Sequence, residues 1–176
     1  MKNYLLAASL ANGNPGRFVE LIKGMKGGAL LLHFFLICAM LYAPLMHAVA
    51  RLSPWDVFSR LNADMLPQEI GAEAFNAGFY QSGYASRALL PLLAGMYVIL
   101  LVLQAAFYLL AALFAGFNRW NYSYLRFRDR LGVFIFSSTI PVAACAVFGF
   151  FLPTVHLIVF YLAEILLGFS ILKKYA

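Results

Sequence analysis

The stretch PTVHLIVFYLAEILLGFSILKK, at residues 153–174, is an apolar run long enough to cross a lipid bilayer as a helix. Its one acidic residue, Glu164, lies close to the middle. A charged side chain at the bilayer centre costs roughly 2.5–3.5 kcal/mol on insertion scales. The stretch therefore predicts a membrane span in which Glu164 faces other helices, is neutral and donates a hydrogen bond.

The whole chain has the composition of a polytopic membrane protein. Of its 176 residues, 64% are hydrophobic and 11% are charged, against about 45–50% and about 25% in soluble domains. Three further apolar runs are long enough to span a bilayer, at residues 29–50, 87–116 and 131–152. The predicted fold class is therefore all-α, with four transmembrane helices and no room for a separate soluble domain.

The basic residues are distributed unequally about these runs. Only Arg51, Arg60 and Arg87, of 13 Lys and Arg residues, belong to the connection between the first and second runs. The positive-inside rule then places both termini in the cytoplasm and residues 51–86 outside. We expect a cytoplasmic interfacial segment at residues 1–28 and a four-helix transmembrane domain at residues 29–176.

An amphipathic helix is predicted before the first span. Asn14 and Pro15 are the residue types favoured at the N-cap and first helical position. The residues on its apolar face are Phe18, Leu21, Ile22 and Met25. We expect this helix to lie in the membrane interface; the alternative is a solvated helix that packs on the protein itself.

The outer segment, residues 51–86, contains signals for two short helices. Ser53 and Pro54 have the form of a helix start, Pro67 ends that helix, and a second helix is predicted to run to about Ala77. We expect both to lie flat on the outer surface. A lid or a partner-binding surface is the alternative.

Polar residues inside the spans define a candidate intramembrane site. Gln104 lies near the centre of the second span, Tyr108 follows one turn later, and Tyr161 shares a helix face with Glu164. Because Gln104 and Glu164 lie at similar depth, we expect them to be partners. Three interpretations stay open: a proton or cation site, a contact with a partner subunit, or an interhelical hydrogen bond that fixes packing.

The third span contains a predicted helix break. Pro141 displaces the carbonyl of Ser137, four residues earlier, and leaves it without its helical donor. Nearby hydroxyls, at Ser137, Ser138 and Thr139, can bond to freed backbone groups.

Small residues at four-residue spacing predict close approach between helices. The pairs are Ala39 with Ala43 and Ala112 with Gly116, and Gly168 follows Glu164 by one turn.

Basic residues next to the spans predict contacts with anionic lipid headgroups. They are Lys23, Lys26, Arg119, Arg126, Arg128 and Arg130. Aromatic residues alternate with arginines in the inner loop, a pattern that also suits single-stranded nucleic acid. An aromatic belt beside a positive-inside loop is favoured in so apolar a chain, so we expect lipids as partners and no nucleic acid.

Two stretches indicate a family. NPGRFVELIKGMKGG leads into the first span, and residues 124–175 include FSSTIPVAA. Both resemble the Yip1-like superfamily of small polytopic membrane proteins, especially its bacterial DUF1189-type members. The resemblance implies an integral protein of the bacterial cytoplasmic (inner) membrane, in a group suspected of assisting transport or envelope processes. It implies no catalytic residues.

Two functions remain open from the sequence. The first is a non-enzymatic accessory or scaffold subunit that associates through small-residue helix faces, with a copy of itself or with a partner membrane subunit. The second is a small ion- or proton-coupled transporter that uses Glu164. No Ser-His-Asp, HExxH, paired-carboxylate or Gly-rich phosphate motif is visible, so we expect no enzymatic activity, no cofactor and no metal.

Overall fold

The computed structural model describes residues 14–52, 72–81, 89–117 and 125–175. Within these ranges the chain is helical nearly throughout and contains no strand. The helices are α1 (Pro15–Lys23), α2 (Gly27–Ala50), α3 (Ala72–Gln81), α4 (Leu90–Phe117), α5 (Phe127–Ser137), α6 (Thr139–Gly149) and α7 (Val155–Tyr175).

In the part of the chain that the structure describes, four helical stretches are long and apolar enough to cross a membrane: α2, α4, α5 continued by α6, and α7. They match the four predicted spans, with ends that differ by a few residues. The predicted fold class, an all-α polytopic membrane protein, is confirmed. Large apolar side chains cover the outward faces, where Leu110 is 65% and Leu166 is 72% exposed, as expected of surfaces that contact lipid.

Helix α1 forms where the N-terminal pattern predicts it. The side chain of Asn14 caps the helix, because its Oδ1 accepts a hydrogen bond from the backbone N–H of Arg17 at 3.1 Å. Phe18 and Val19 on its apolar face are completely buried, against α5 and α7. This face therefore packs on the protein itself, while Glu20 and Lys23 are exposed; location in the membrane interface stays a prediction.

Helix α2 continues through Pro44, which is buried. The proline ring packs against Gly149 of α6, where a Cβ would come within 2.8 Å of Pro44 Cγ. Glycine at this position is therefore needed for the close approach of α2 and α6.

The third span is interrupted at Ser138, between α5 and α6. This is one turn before Pro141, which lies inside α6 and is buried. Two hydroxyls donate to carbonyls of the preceding turn, each over 2.8 Å: Ser138 to Phe134 and Thr139 to Phe136. The Ser137 hydroxyl oxygen lies 3.1 Å from the same Phe134 carbonyl oxygen. Side-chain donors thus bond backbone carbonyls at the break, as is usual for irregular backbone at membrane depth.

Some predicted features lie outside the described residues. They include the helix after Ser53 and the side chain of Arg119. The second helix predicted between the first and second spans is observed as α3, which extends past the predicted end at Ala77.

Candidate functional site

Glu164 lies on the inward face of α7. Its side chain is completely buried, on the same face as Phe160, Gly168 and Ile171. Carboxyl oxygen Oε1 accepts a hydrogen bond from the Ser137 hydroxyl at 2.8 Å. The second oxygen, Oε2, is buried and has no hydrogen-bond partner.

Gln104 of α4 is also completely buried, and it joins three helices. Its Oε1 accepts hydrogen bonds from the hydroxyls of Tyr42 in α2 and Tyr161 in α7, each at 2.8 Å. These two hydroxyls lie 3.0 Å apart. The amide nitrogen Nε2 is buried without a hydrogen-bond partner.

The prediction that Gln104 is the partner of Glu164 is wrong. The two tyrosine hydroxyls bond the Gln104 oxygen instead, and Ser137 bonds the acid. Tyr108 follows Gln104 by one turn of α4 and is also buried. Its hydroxyl is 2.6 Å from the Ser138 hydroxyl, and Ser138 follows the serine that bonds Glu164.

These residues form what we call the polar network: Tyr42, Gln104, Tyr108, Ser137, Ser138, Tyr161 and Glu164. All four residues predicted for the intramembrane site belong to it, and so does Ser137 of the predicted helix break. The network includes residues from each of the four spans. The buried position of Glu164 favours the neutral carboxyl, because unpaired charge is costly in an apolar interior.

The network contains hydroxyl, amide and carboxyl groups. Hydroxyls both donate and accept hydrogen bonds. The arrangement can therefore hold the helices together by hydrogen bonds or transfer a proton between neighbouring groups. Across the described ranges, no three His, Cys, Asp or Glu side chains are grouped so that they could hold a metal ion. Cys38 and Cys145 are buried and unbridged.

Sequence reasoning missed Tyr42 and His156. Tyr42 is completely buried, and a phenol hydroxyl in the middle of a span needs a partner; that requirement was the available signal. His156 Nε2 lies 2.9 Å from the Leu41 carbonyl oxygen and links α7 to α2. Its position near the start of an apolar span, with no water to bond, was a comparable signal.

The basic residues predicted to contact headgroups differ in their surroundings. The Arg130 Nε donates to the Ala112 carbonyl at 3.1 Å and its Nη1 donates to the Leu125 carbonyl at 2.9 Å. Its guanidinium therefore bonds backbone near the end of α4. By contrast, Lys26 and Arg126 are exposed where α2 and α5 begin.

Lys23 belongs to a polar cluster between α1 and α7. Its Nζ donates to Glu20 Oε1 at 2.8 Å and to the Tyr175 hydroxyl at 2.6 Å, and that hydroxyl donates to Glu20 at 2.5 Å. The hydrogen bonds from Lys23 and Tyr175 lower the pKa of Glu20. The bonds to Glu20 and Tyr175 raise the pKa of Lys23.

Taken together, the four spans and the buried polar network define a polytopic α-helical membrane protein. No family model, curated protein or solved structure matches the chain. The functional assignment therefore rests on the physical chemistry of the residues.

Proposed function

We propose that the protein is a non-enzymatic accessory or scaffold subunit of a membrane complex. The observation in its favour is that polar residues are hydrogen-bonded inside the bundle, whereas small residues are exposed on its surface. The residues of the polar network form hydrogen bonds inside the bundle, whereas the small-residue pair Ala39 and Ala43 is exposed on α2.

The outward face of α2 suits another transmembrane helix. Ala39 and Ala43 lie on one face with Leu32 and Leu36, which are 54% and 51% exposed. Small side chains at this spacing let two helix backbones approach closely in lipid. The small residues of α4 serve a different purpose: Ala112 is completely buried in the bundle, where α4 packs against α5.

Substituting Ala43 by leucine tests this proposal. The change adds bulk to an exposed position, so the chain should fold normally while the complex dissociates. Ala106→Leu is the matched control, because Ala106 is exposed on α4, away from the proposed surface. Particle mass in a mild detergent, measured by light scattering, should fall for Ala43→Leu only. A wild-type particle of one chain, in detergents that keep native complexes intact, would contradict the proposal.

A second candidate is a small ion- or proton-coupled transporter. The observation that favours it is the buried Glu164 Oε2 without a hydrogen-bond partner, since intramembrane acids commonly mark proton pathways. Glu164→Gln separates the two candidates. An accessory subunit should keep its fold and its complex, whereas a proton-coupled carrier should fold normally and lose transport.

Membership of the Yip1-like superfamily and an inner-membrane location with cytoplasmic termini belong to the same proposal. The support for the orientation is the excess of Lys and Arg on one side of the spans. The support for the family is the pair of stretches, NPGRFVELIKGMKGG and FSSTIPVAA.

A further inference from the structure

A groove of about 370 Å³ lies between α2, α4 and α5, on the surface of the bundle. Gly27, the first residue of α2, and Arg128, near the start of α5, line one end. Phe34, Ala105 and Tyr108 line the part of the groove that lies deeper along the spans. We call this space the α2–α4 groove; its volume is within the range of about 300–1,000 Å³ that is usual for small-molecule sites.

The walls and the mouth of the groove differ in chemistry. The lining is apolar apart from Arg128 at the mouth and the Tyr108 hydroxyl, which bonds Ser138. Arg128 is exposed at the mouth, and Lys26, which is also exposed, directly precedes Gly27 in the chain. Arg128 donates a hydrogen bond to the backbone carbonyl of Met25, which holds the guanidinium beside the start of α2.

The acid nearest in sequence to Arg128 does not line the groove. Asp129 follows Arg128, but its side chain is only 9% exposed and lies inside the first turn of α5. The N-terminal ends of α2 and α5 also meet the mouth, and neither has a side-chain cap. Helix N-termini favour anions, so they add to the field of the two basic side chains.

We propose that the α2–α4 groove binds one anionic phospholipid. An acyl chain lies along the apolar walls toward Phe34 and Ala105, and the phosphate contacts Lys26 and Arg128. The groove opens on the surface that faces lipid, where Leu31 beside it is 58% exposed, so a phospholipid is the occupant available there. A second groove, of about 400 Å³ between α4 and α7, contains no charged residue and offers nothing to select a headgroup.

Two glycines provide a matched pair of variants. A Cβ at Gly27 or at Gly28 meets no atom within 4 Å, so the backbone at either position has room for the start of a side chain. Only Gly27 lines the groove. We expect Gly27→Leu to block the groove and Gly28→Leu to leave it open.

The charge is tested in the same way. Arg128→Gln should weaken binding of the anionic lipid by about fivefold, the effect of one basic residue near a membrane surface, and Arg128→Lys should restore it. Lys174→Gln removes the same charge from an exposed position at the end of α7 and should leave binding unchanged.

Native mass spectrometry of the delipidated full-length protein measures the binding directly. The probes are dioleoylphosphatidylglycerol, dioleoylphosphatidylcholine and inorganic phosphate. The expected result is saturation at one phosphatidylglycerol per chain, weaker binding of phosphatidylcholine, no competition by inorganic phosphate, and loss of the bound lipid in Gly27→Leu only.

Other results would overturn the proposal. Equal binding of the two lipids, or binding that does not saturate, would indicate ordinary lipid contact with the protein surface. Competition by inorganic phosphate would indicate an anion site without an acyl-chain groove. A Gly27→Leu protein that still binds phosphatidylglycerol would place the lipid elsewhere. A wild-type protein that binds no lipid would indicate that a protein segment fills the groove.

Discussion

Ser137 at the end of α5 donates its hydroxyl to Oε1 of Glu164 in α7 over 2.8 Å, and both side chains are completely buried. The bond connects the third and fourth spans at the point where the third span is interrupted. It gives Glu164 a role in packing whatever further role the free Oε2 has.

Glu164→Gln should be tolerated, because the amide oxygen can replace Oε1 as the acceptor for Ser137. Ser137→Ala removes the donor and leaves a buried oxygen without a partner. We expect the alanine variant to lose between about 0.6 and about 1.7 kcal/mol of unfolding free energy, the mean and the maximum for hydrogen bonds between membrane helices. Reversible unfolding of the purified protein in mixed micelles measures both variants.

A Glu164→Gln protein that unfolds far more easily than Ser137→Ala would contradict this view of the acid. It would indicate that Glu164 stabilises the bundle through something other than its bond to Ser137. The free Oε2 would then be the group to examine.

Gly168 allows α7 to approach α5 closely. A Cβ at this position would overlap the ring of Phe134, which is completely buried. We expect Gly168→Ala to destabilise the protein by about 1–3 kcal/mol, as overpacking of a core does. Gly95→Ala is the control, because a Cβ at Gly95 meets no atom within 4 Å, and it should be neutral or stabilising. Unfolding of both variants in the same micelles gives the comparison, and equal stability would contradict the predicted overlap.

The spans and their inward faces could be predicted from the sequence, since a bilayer requires long apolar helices with their polar groups turned inward. The hydrogen-bond partners within that interior could not be predicted from the sequence. Gln104 and Glu164 are expected at similar depth, but they do not bond to each other. Gln104 accepts hydrogen bonds from Tyr42 and Tyr161, and Glu164 accepts one from Ser137. Helical periodicity gives the direction of a side chain and not which of several donors lies within 3 Å of it.

The contact between α1 and α7 should depend on pH in a defined direction. The pKa of Glu20 is lowered from 4.5 by its bonds to Lys23 and Tyr175, so the stabilisation is present above pH 4.5 and is lost as pH falls through the lowered value. The pKa of Lys23 is raised from 10.5, so its contribution is present below pH 10.5 and is lost only in stronger alkali. We expect α1 to stay attached at neutral pH and to separate more readily in acid.

Spin labels at Arg17→Cys and Lys173→Cys, both exposed positions, can measure this separation. The distance distribution should be narrow at pH 7 and broader at pH 3, and Glu20→Gln should already be broader at pH 7. Since these groups are exposed, high salt should reduce the difference. A distribution that is equally narrow at both pH values would show that burial of Phe18 and Val19 alone holds α1 in place.

Arg130 is expected to stabilise the fold through the end of α4. Its bonds to the carbonyls of Ala112 and Leu125 are charge-assisted, and such bonds contribute about 1.5–3 kcal/mol each. Arg130→Ala should therefore lower the unfolding temperature in detergent without added lipid. Arg126→Ala, which removes an exposed arginine from the same turn, is the control and should have little effect. If Arg130 acts mainly on headgroups, its substitution should matter only when anionic lipid is present.

The distribution of basic residues predicts the orientation of the spans. The connection between the first and second spans contains only three of the 13 Lys and Arg residues: Arg51, Arg60 and Arg87. Translocation of that connection across the membrane is therefore favoured. A fluorescent protein fused after Ala176 should be fluorescent in the cytoplasm, and alkaline phosphatase inserted between residues 60 and 64 should be active outside. As the control, phosphatase fused after Ala176 should be inactive, because that site is expected to remain in the cytoplasm. Active phosphatase at the C-terminus together with inactive phosphatase in the connection would reverse the orientation, and the basic mouth of the α2–α4 groove would then face the outer leaflet.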